Sequence, residues 1–460
     1  MAVPLPDDSQ PDPRAMAVAL CAFLLWICLA VVTGLALYAD GSHAFLQVLE
    51  RGGFYFATSY GRALSDALYE APLVLLLSLG VTDLSLLRLA FGLGCFAPWP
   101  LALWACRRLS PENFWVAVLA CAAGYLNTAW MPVGGHIVAH ALFWPALFAL
   151  RFVRPLTPFA GGVLSACAGL STASYESLLF LGPPLAGLCL WRRGKGGESR
   201  WGVAALSFSA GCFALAGLVS LPGILWPLWP GNLASFQAGF WRQLSAPPAT
   251  VAFTGLWTAA CFVMILKPEV LGRLRGTIGW TGFAFLVFVW GLRPLAFPAS
   301  FDPSRQYESR YLNLLIPLLA LPVVAAWRRE WLKSRRRQLS HAVAGLLLLQ
   351  SLWQICATVQ WHGFVGAVRS LLAFQTGPVF FRGSSLPLGS QAMNLNWSWA
   401  DPSLSLALHS GGQVVSLLAP PRHRGWRPFD PLEPSRLPDL RRYGVEYDLY
   451  AVALRRRAKR

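Results

Sequence analysis

The stretch AMAVALCAFLLWICLAVVTGLALY, residues 15–38, decides the fold class. It contains no Lys, Arg, Asp or Glu. An α-helix rises ~1.5 Å per residue, so about 20 such residues cross a ~30 Å hydrocarbon core. The run is apolar on every side, as a membrane helix is, rather than along one stripe. It is longer than the ~7–15-residue apolar core of a secretory signal. Its N-terminal flank carries Asp7, Asp8 and Asp12, so no cleavable leader is expected.

Working outward, apolar run length predicts ten further helices over roughly 81–106, 113–131, 136–153, 158–175, 176–192, 201–222, 249–267, 277–297, 311–327 and 339–361. The 460 residues are 55% hydrophobic and only 13% charged. Soluble domains carry about 25% charged residues, so a water-soluble fold is excluded. The 10 cysteines all fall inside apolar runs, where they read as small core residues. A disulfide framework or a zinc ribbon needs cysteines at fixed loop spacings instead. The expected fold class is therefore an all-α polytopic membrane bundle of about 11 transmembrane helices, with a small C-terminal α/β extracytoplasmic domain. Its parts are a cytoplasmic tail (1–14), the bundle (15–361) and the outer domain (362–460).

The net charge of +17 is mostly topology. With the N-terminus inside, cytoplasmic segments carry 18 Lys/Arg and the outer loops 6, namely Arg51, Arg62, Arg242, Arg293, Arg305 and Arg310. That asymmetry places the N-terminus in the cytoplasm. An odd helix count then places the tail, with its 13 Lys/Arg, outside; long translocated domains escape the rule. The expected setting is a bacterial inner membrane. No nucleic-acid partner is expected, and no internal repeat or pair of broken helices marks two transporter halves. Lys195-Gly-Gly-Glu198 lacks the order of a phosphate loop and reads as a flexible cytoplasmic turn.

Polar chemistry concentrates in the first outer loop, residues 39–80. Residues 43–51 place Phe45, Leu46 and Leu49 on one helical face and Gln47, Glu50 and Arg51 on the other. Residues 62–70 place Arg62, Asp66 and Glu70 at i, i+4 spacing opposite Ala63, Leu64, Ala67 and Leu68. Both read as amphipathic helices on the outer membrane face. They form either a lid over a cavity or a loop packed on the bundle. Asp40, in Tyr38-Ala-Asp-Gly-Ser42, stands where the first span ends. A half-desolvated carboxylate there gains basicity, although Asp-Gly-Ser is also an ordinary helix-ending turn. Arg88 lies inside the second span, where a charge pairs, serves function or snorkels. His136 and His140 share one helix face and, with Glu176 and Glu50, could hold a divalent ion or simply hydrogen-bond their neighbours. Arg305, Arg310 and Tyr311 open a late helix with groups suited to phosphate or to a headgroup anchor. Trp226, Trp229 and Trp241 read as an aromatic belt or as platforms that stack on sugar rings.

On these residues the chain resembles the GT-C class of polytopic glycosyltransferases, which take sugars from polyprenyl-phosphate carriers. Four features carry the likeness: Asp40 after the first helix; Ala71-Pro72 to Gly80 before Arg88-Leu89; Arg310-Tyr311 before Pro317; and a tail after the last span. The resemblance implies a polyprenyl-phosphate sugar donor, a lipid, glycan or protein acceptor, and contact with membrane lipids. It implies Asp40 as base and Arg88, Arg305, Arg310 and Tyr311 around the donor phosphate. The chain departs from the class where many members pair two acids: Gly41 follows Asp40, which weakens a carried-over metal site. Alternative readings are a lipid-linked glycan ligase or polymerase, built around His136 and His140, and a lipid or glycan transporter without chemistry.

Overall fold

The computed structural model describes residues 13–56, 60–126, 132–225 and 336–373, together with 317, 380–382, 395, 400–408, 416–418 and 441–443. The expected helices at 249–267, 277–297 and 311–327 lie outside them. The described chain is a helical bundle: α1 (Pro13–Val32), α2 (Asp40–Arg51), α3 (Ala63–Ser78), α4 (Leu84–Phe96), α5 (Pro98–Leu109), α6 (Phe114–Ala120), α7 (Gly135–Phe152), α8 (Pro158–Ser171), α9 (Leu178–Gly194), α10 (Arg200–Leu225), α11 (Arg336–Ala373) and the short α12 (Asp401–Ala407). Among the described residues four helices are long and apolar enough to cross a membrane: those over Arg14–Val32, Gly135–Phe152, Arg200–Pro222 and Leu339–Ala373. The α4–α5 pair, bent by 43°, makes a fifth if it is one span. Large apolar side chains face outward, Val32, Leu79 and Leu218 among them. In water such a surface is a liability; against lipid it is the expected one.

Local chemistry sets the breaks. The expected helix over 81–106 is two helices because Pro98 follows Ala97 and has no N–H to donate back. Asp83 caps α4 by accepting from the Ser85 and Leu86 N–H groups at 2.7 and 2.9 Å. The expected helix at 113–131 is only one α-helical stretch, α6, continued by a π-turn over Cys121–Tyr125. The last helix runs on to Ala373, so residues 362–373 belong to the bundle and not to the tail.

The core is aromatic. Trp26 of α1 is fully buried between Phe23, Phe96 and Tyr125, and Tyr125 stacks on Trp99 at 5.2 Å. Polar hooks pin α11 across it. Trp26 Nε1 donates to Thr358 Oγ1 at 3.2 Å and Trp361 Nε1 to the Thr33 carbonyl at 3.3 Å. Gln354 donates to the Leu126 carbonyl. In the tail, β1 (Phe380–Arg382) and β2 (Ser416–Leu418) pair in parallel on either side of α12 in sequence. The expected strand at 447–454 lies outside the described residues.

Candidate functional site

Asp40 is presented by a tight reversal. The chain leaves α1 at Gly34 (φ 70°), makes one 3-10 turn over Leu35–Leu37, and turns into α2 at Ala39. Ala39 has φ 52° and ψ −123°, and among the described residues no other side chain larger than glycine's has positive φ. A side chain held there costs on the order of 1–3 kcal/mol. The packing that enforces it is visible next door. A Cβ on Gly41 would lie 1.7 Å from the Ala36 carbonyl oxygen, so only glycine lets α2 start this close to the turn. Ser42 Oγ closes the reversal by donating to the Ala39 carbonyl at 3.1 Å. Asp40 itself is half-buried at the first position of α2.

The two loop helices do not both lie as expected. On α2 the apolar face of Phe45, Leu46 and Leu49 is buried inside protein, with Glu50 and Arg51 exposed. On α3 the polarity is inverted. Asp66, Tyr69, Glu70 and Leu73, at i, i+3, i+4 and i+7, face inward, while Ala71, Leu75 and Leu79 face out. The acids expected on a solvated face form a buried polar cluster instead, and α3 is not an interfacial helix with its charges in water.

Within that cluster Glu70 Oε2 accepts the Tyr55 N–H at 2.7 Å, and Oε1 has no hydrogen-bond partner among the described residues. Burial pushes its carboxyl up to about 9; the Asp66 charge adds to this, while the Tyr55 N–H and Arg51 oppose it. Glu70 is therefore neutral at pH 7. His43 Nε2 lies 3.3 Å from the Tyr55 hydroxyl, and burial lowers that imidazole to about 4, so it is neutral too. Tyr69 donates to Asp66 Oδ1 at 3.0 Å, and the Arg51 guanidinium sits 4.6 Å from the Tyr55 ring centre.

Beside it, Arg62 forms an ion pair with Glu176 at 2.7 Å and lies 4.9 Å from the Tyr175 ring centre. Three backbone contacts weld this corner. The Leu64 N–H donates to the Ala173 carbonyl, Ser65 Oγ to the Ser174 carbonyl, and Ser220 Oγ to the Tyr175 carbonyl. A Cβ on Gly135 would meet Ser174 O and Ser65 Oγ at 2.6 and 2.7 Å, which is why α7 can start here. His136, at that start, has its ring 5.6 Å from Tyr175. His140 is buried one turn further along, its Nε2 without a hydrogen-bond partner among the described residues.

The remaining expected site residues are placed as follows. His136, His140, Glu176 and Glu50 do not form a metal centre: among the described residues no group of three or more potential ligands is arranged to hold an ion. Glu176 is taken by Arg62, and Glu50 is exposed at the far end of α2. Arg88 reaches the tail. Its Nη1 donates to the Ala407 carbonyl at 3.0 Å and its Nη2 to Ser85 Oγ at 3.0 Å. The tail also reaches α2, where Tyr443 donates to the Leu49 carbonyl at 3.1 Å and Arg442 donates to the same oxygen. Gly52 (φ 64°) leaves room for that guanidinium. Arg305, Arg310 and Tyr311 lie outside the described residues.

The sequence reading missed His43, Tyr55, Asp66 and Glu70 as a unit. The signal was present in α3, whose stripe of Ala67, Ala71, Leu75 and Leu79 repeats every four residues on the side away from Asp66 and Glu70. No family model, curated protein or solved structure matches the chain.

Proposed function

We propose that the protein is a membrane-embedded glycosyltransferase that moves a sugar from a polyprenyl-phosphate carrier to an acceptor at the extracytoplasmic face. The observation that carries this reading is the strained Ala39–Asp40 junction. Backbone strain concentrates where function needs a side chain held in one place. The residue it holds is the one carboxylate that the GT-C resemblance makes the base. The Lys/Arg asymmetry supports an outward-facing α2–α3 end, where a carrier headgroup in the outer leaflet would meet Asp40.

In this mechanism Asp40 takes the proton of an acceptor hydroxyl as its oxygen attacks the anomeric carbon. The bond from that carbon to the phosphate oxygen breaks, and the phosphate leaves on its carrier. Arg305, Arg310 and Tyr311 are assigned to hold the departing phosphate, because Arg forks match phosphate oxygens. Glu70, neutral by burial, cannot be the base at pH 7 and offers a hydrogen bond instead. The first test needs no prior choice of sugar: mass spectrometry of the purified protein should find polyprenyl phosphate or its glycosylated form bound. Repeated absence of any polyprenyl lipid from the gently extracted protein would overturn the reading.

A further inference from the structure

The end of the bundle opposite Asp40 is built around one buried ion pair. Arg192 Nε donates to Glu198 Oε1 at 2.7 Å, and both side chains are almost fully buried. The same arginine donates to the Ala149 and Leu150 carbonyls at 2.8 Å and to the Val153 carbonyl at 2.5 Å, capping the end of α7. Glu198 Oε2 in turn accepts the Leu156 N–H at 2.8 Å. The 195–198 turn, expected to be flexible, is thus a tied loop, and so is 153–156.

Each tied loop carries one cation outward. Arg154 stands between the anchored Val153 and Leu156, and Lys195 between the anchored Arg192 and Glu198. Both lean on the exposed ring of Trp191, with Arg154 Cζ 5.5 Å and Lys195 Nζ 4.3 Å from its centre. Neither has an ion-pair partner among the described residues, and Glu198, the acid nearest Lys195 in sequence, is taken by Arg192. Two like charges drawn to one indole repel each other, and an anion bound beside both relieves that repulsion. At the same level Trp104, Phe159 and Trp201 are exposed on α5, α8 and α10, with Trp104 and Phe159 in edge contact at 6.0 Å. Exposed aromatics at the ends of apolar helices mark headgroup depth.

We infer that Arg154, Lys195 and Trp191 form a headgroup site for an anionic phospholipid, the phosphate between the two cations and the acyl chains along the exposed faces of α9 and α10. Basic pockets between membrane helices on the cytoplasmic side take such headgroups. The source is fixed by position: the cations sit where the lipid-facing surface of Leu190 and Trp191 ends, so the anion that reaches them is one carried by the bilayer.

The test uses the full chain in nanodiscs of phosphatidylcholine doped with phosphatidylglycerol, with retained lipids counted by native mass spectrometry. The wild type should retain phosphatidylglycerol about 30-fold above its share of the bilayer, the factor two headgroup-level cations provide. The R154Q/K195Q double variant should retain it only at that share. Equal enrichment in the variant, or none in the wild type, overturns the inference. Displacement of the lipid by millimolar inorganic phosphate would reassign the pair to a soluble anion. Should the double variant not fold, phosphatidylglycerol should raise the thermal midpoint of the wild type above its value in phosphatidylcholine, and equal midpoints overturn the site.

Discussion

Replacing Glu70 by glutamine tests whether the inward face of α3 is as dry as it looks. Glu70 is fully buried and keeps its proton up to about 9, against an ordinary value of 4.5. In the unfolded chain the same carboxyl ionises above 4.5. Between those values the folded state binds one proton more than the unfolded state, so stability falls as pH rises. Each pH unit in that window costs about 1.4 kcal/mol, so from pH 5 to pH 8 the loss approaches ~4 kcal/mol. A glutamine at this position has the same shape, accepts the Tyr55 N–H through its amide oxygen and does not titrate. The variant should match the wild type at pH 4 to 5 and grow progressively more stable than it toward pH 8. His43, held to about 4 by burial against 6.5 in the unfolded chain, adds an opposite slope between those values, stability rising with pH, but it does so in wild type and variant alike and cancels in the comparison. The assay is thermal unfolding of both purified proteins in one detergent across that range. Parallel curves for wild type and variant would refute the dry, protonated Glu70.

The Arg62–Glu176 pair is part-buried, so R62M alone should destabilise by about 2–3 kcal/mol by leaving a carboxylate unpaired, whereas the R62M/E176M double variant should recover most of that loss; chemical denaturation of the three proteins reads both steps. G94A should reduce the folded yield sharply, because its Cβ would lie 1.9 Å from the Tyr69 carbonyl oxygen, and expression with size-exclusion profiles reads the effect. Y443F combined with R442M removes both donors to the Leu49 carbonyl and should make the tail cleavable by limited proteolysis while α1–α10 stay intact, with about 1 kcal/mol lost with the tyrosine's hydrogen bond and about 1.5–3 kcal/mol with the charged arginine's.

What was legible in the sequence was whatever depends on run length. Residues 15–38, 136–153 and 201–222 read as helices, and α1, α7 and α10 occupy them, because about 20 apolar residues leave a chain in lipid no other way to satisfy its backbone. What depends on a neighbour was not legible. Pro98 looked tolerable inside one long span, yet it divides α4 from α5. Asp66 and Glu70 looked solvated because a polar face ordinarily points outward; on α3 they pack inward, and Ala71, Leu75 and Leu79 take the exposed face. Asp40 was singled out as a position, but its presentation depends on Ala39 backbone angles and on the Ala36 carbonyl, neither of which a composition pattern encodes. Arg88 looked available to an anion because its partner, the Ala407 carbonyl, lies 319 residues further along the chain. Lys195 to Glu198 looked like a loose turn because Glu198 finds Arg192 and the Leu156 N–H only after α7 and α9 have packed.

Asp40 as the base of a sugar transfer is the step on which the proposed function stands. Its most direct test is Asp40→Asn in the reconstituted full-length protein, supplied with a panel of polyprenyl-phosphate hexoses and pentoses and assayed for released polyprenyl phosphate. Loss of a general base lowers turnover by about 10²–10⁴, so D40N should fall by that factor while its thermal midpoint and its retained polyprenyl lipid match the wild type. Undiminished release by D40N would contradict the account, and release that survives D40N but not a His140 substitution would move the chemistry to α7.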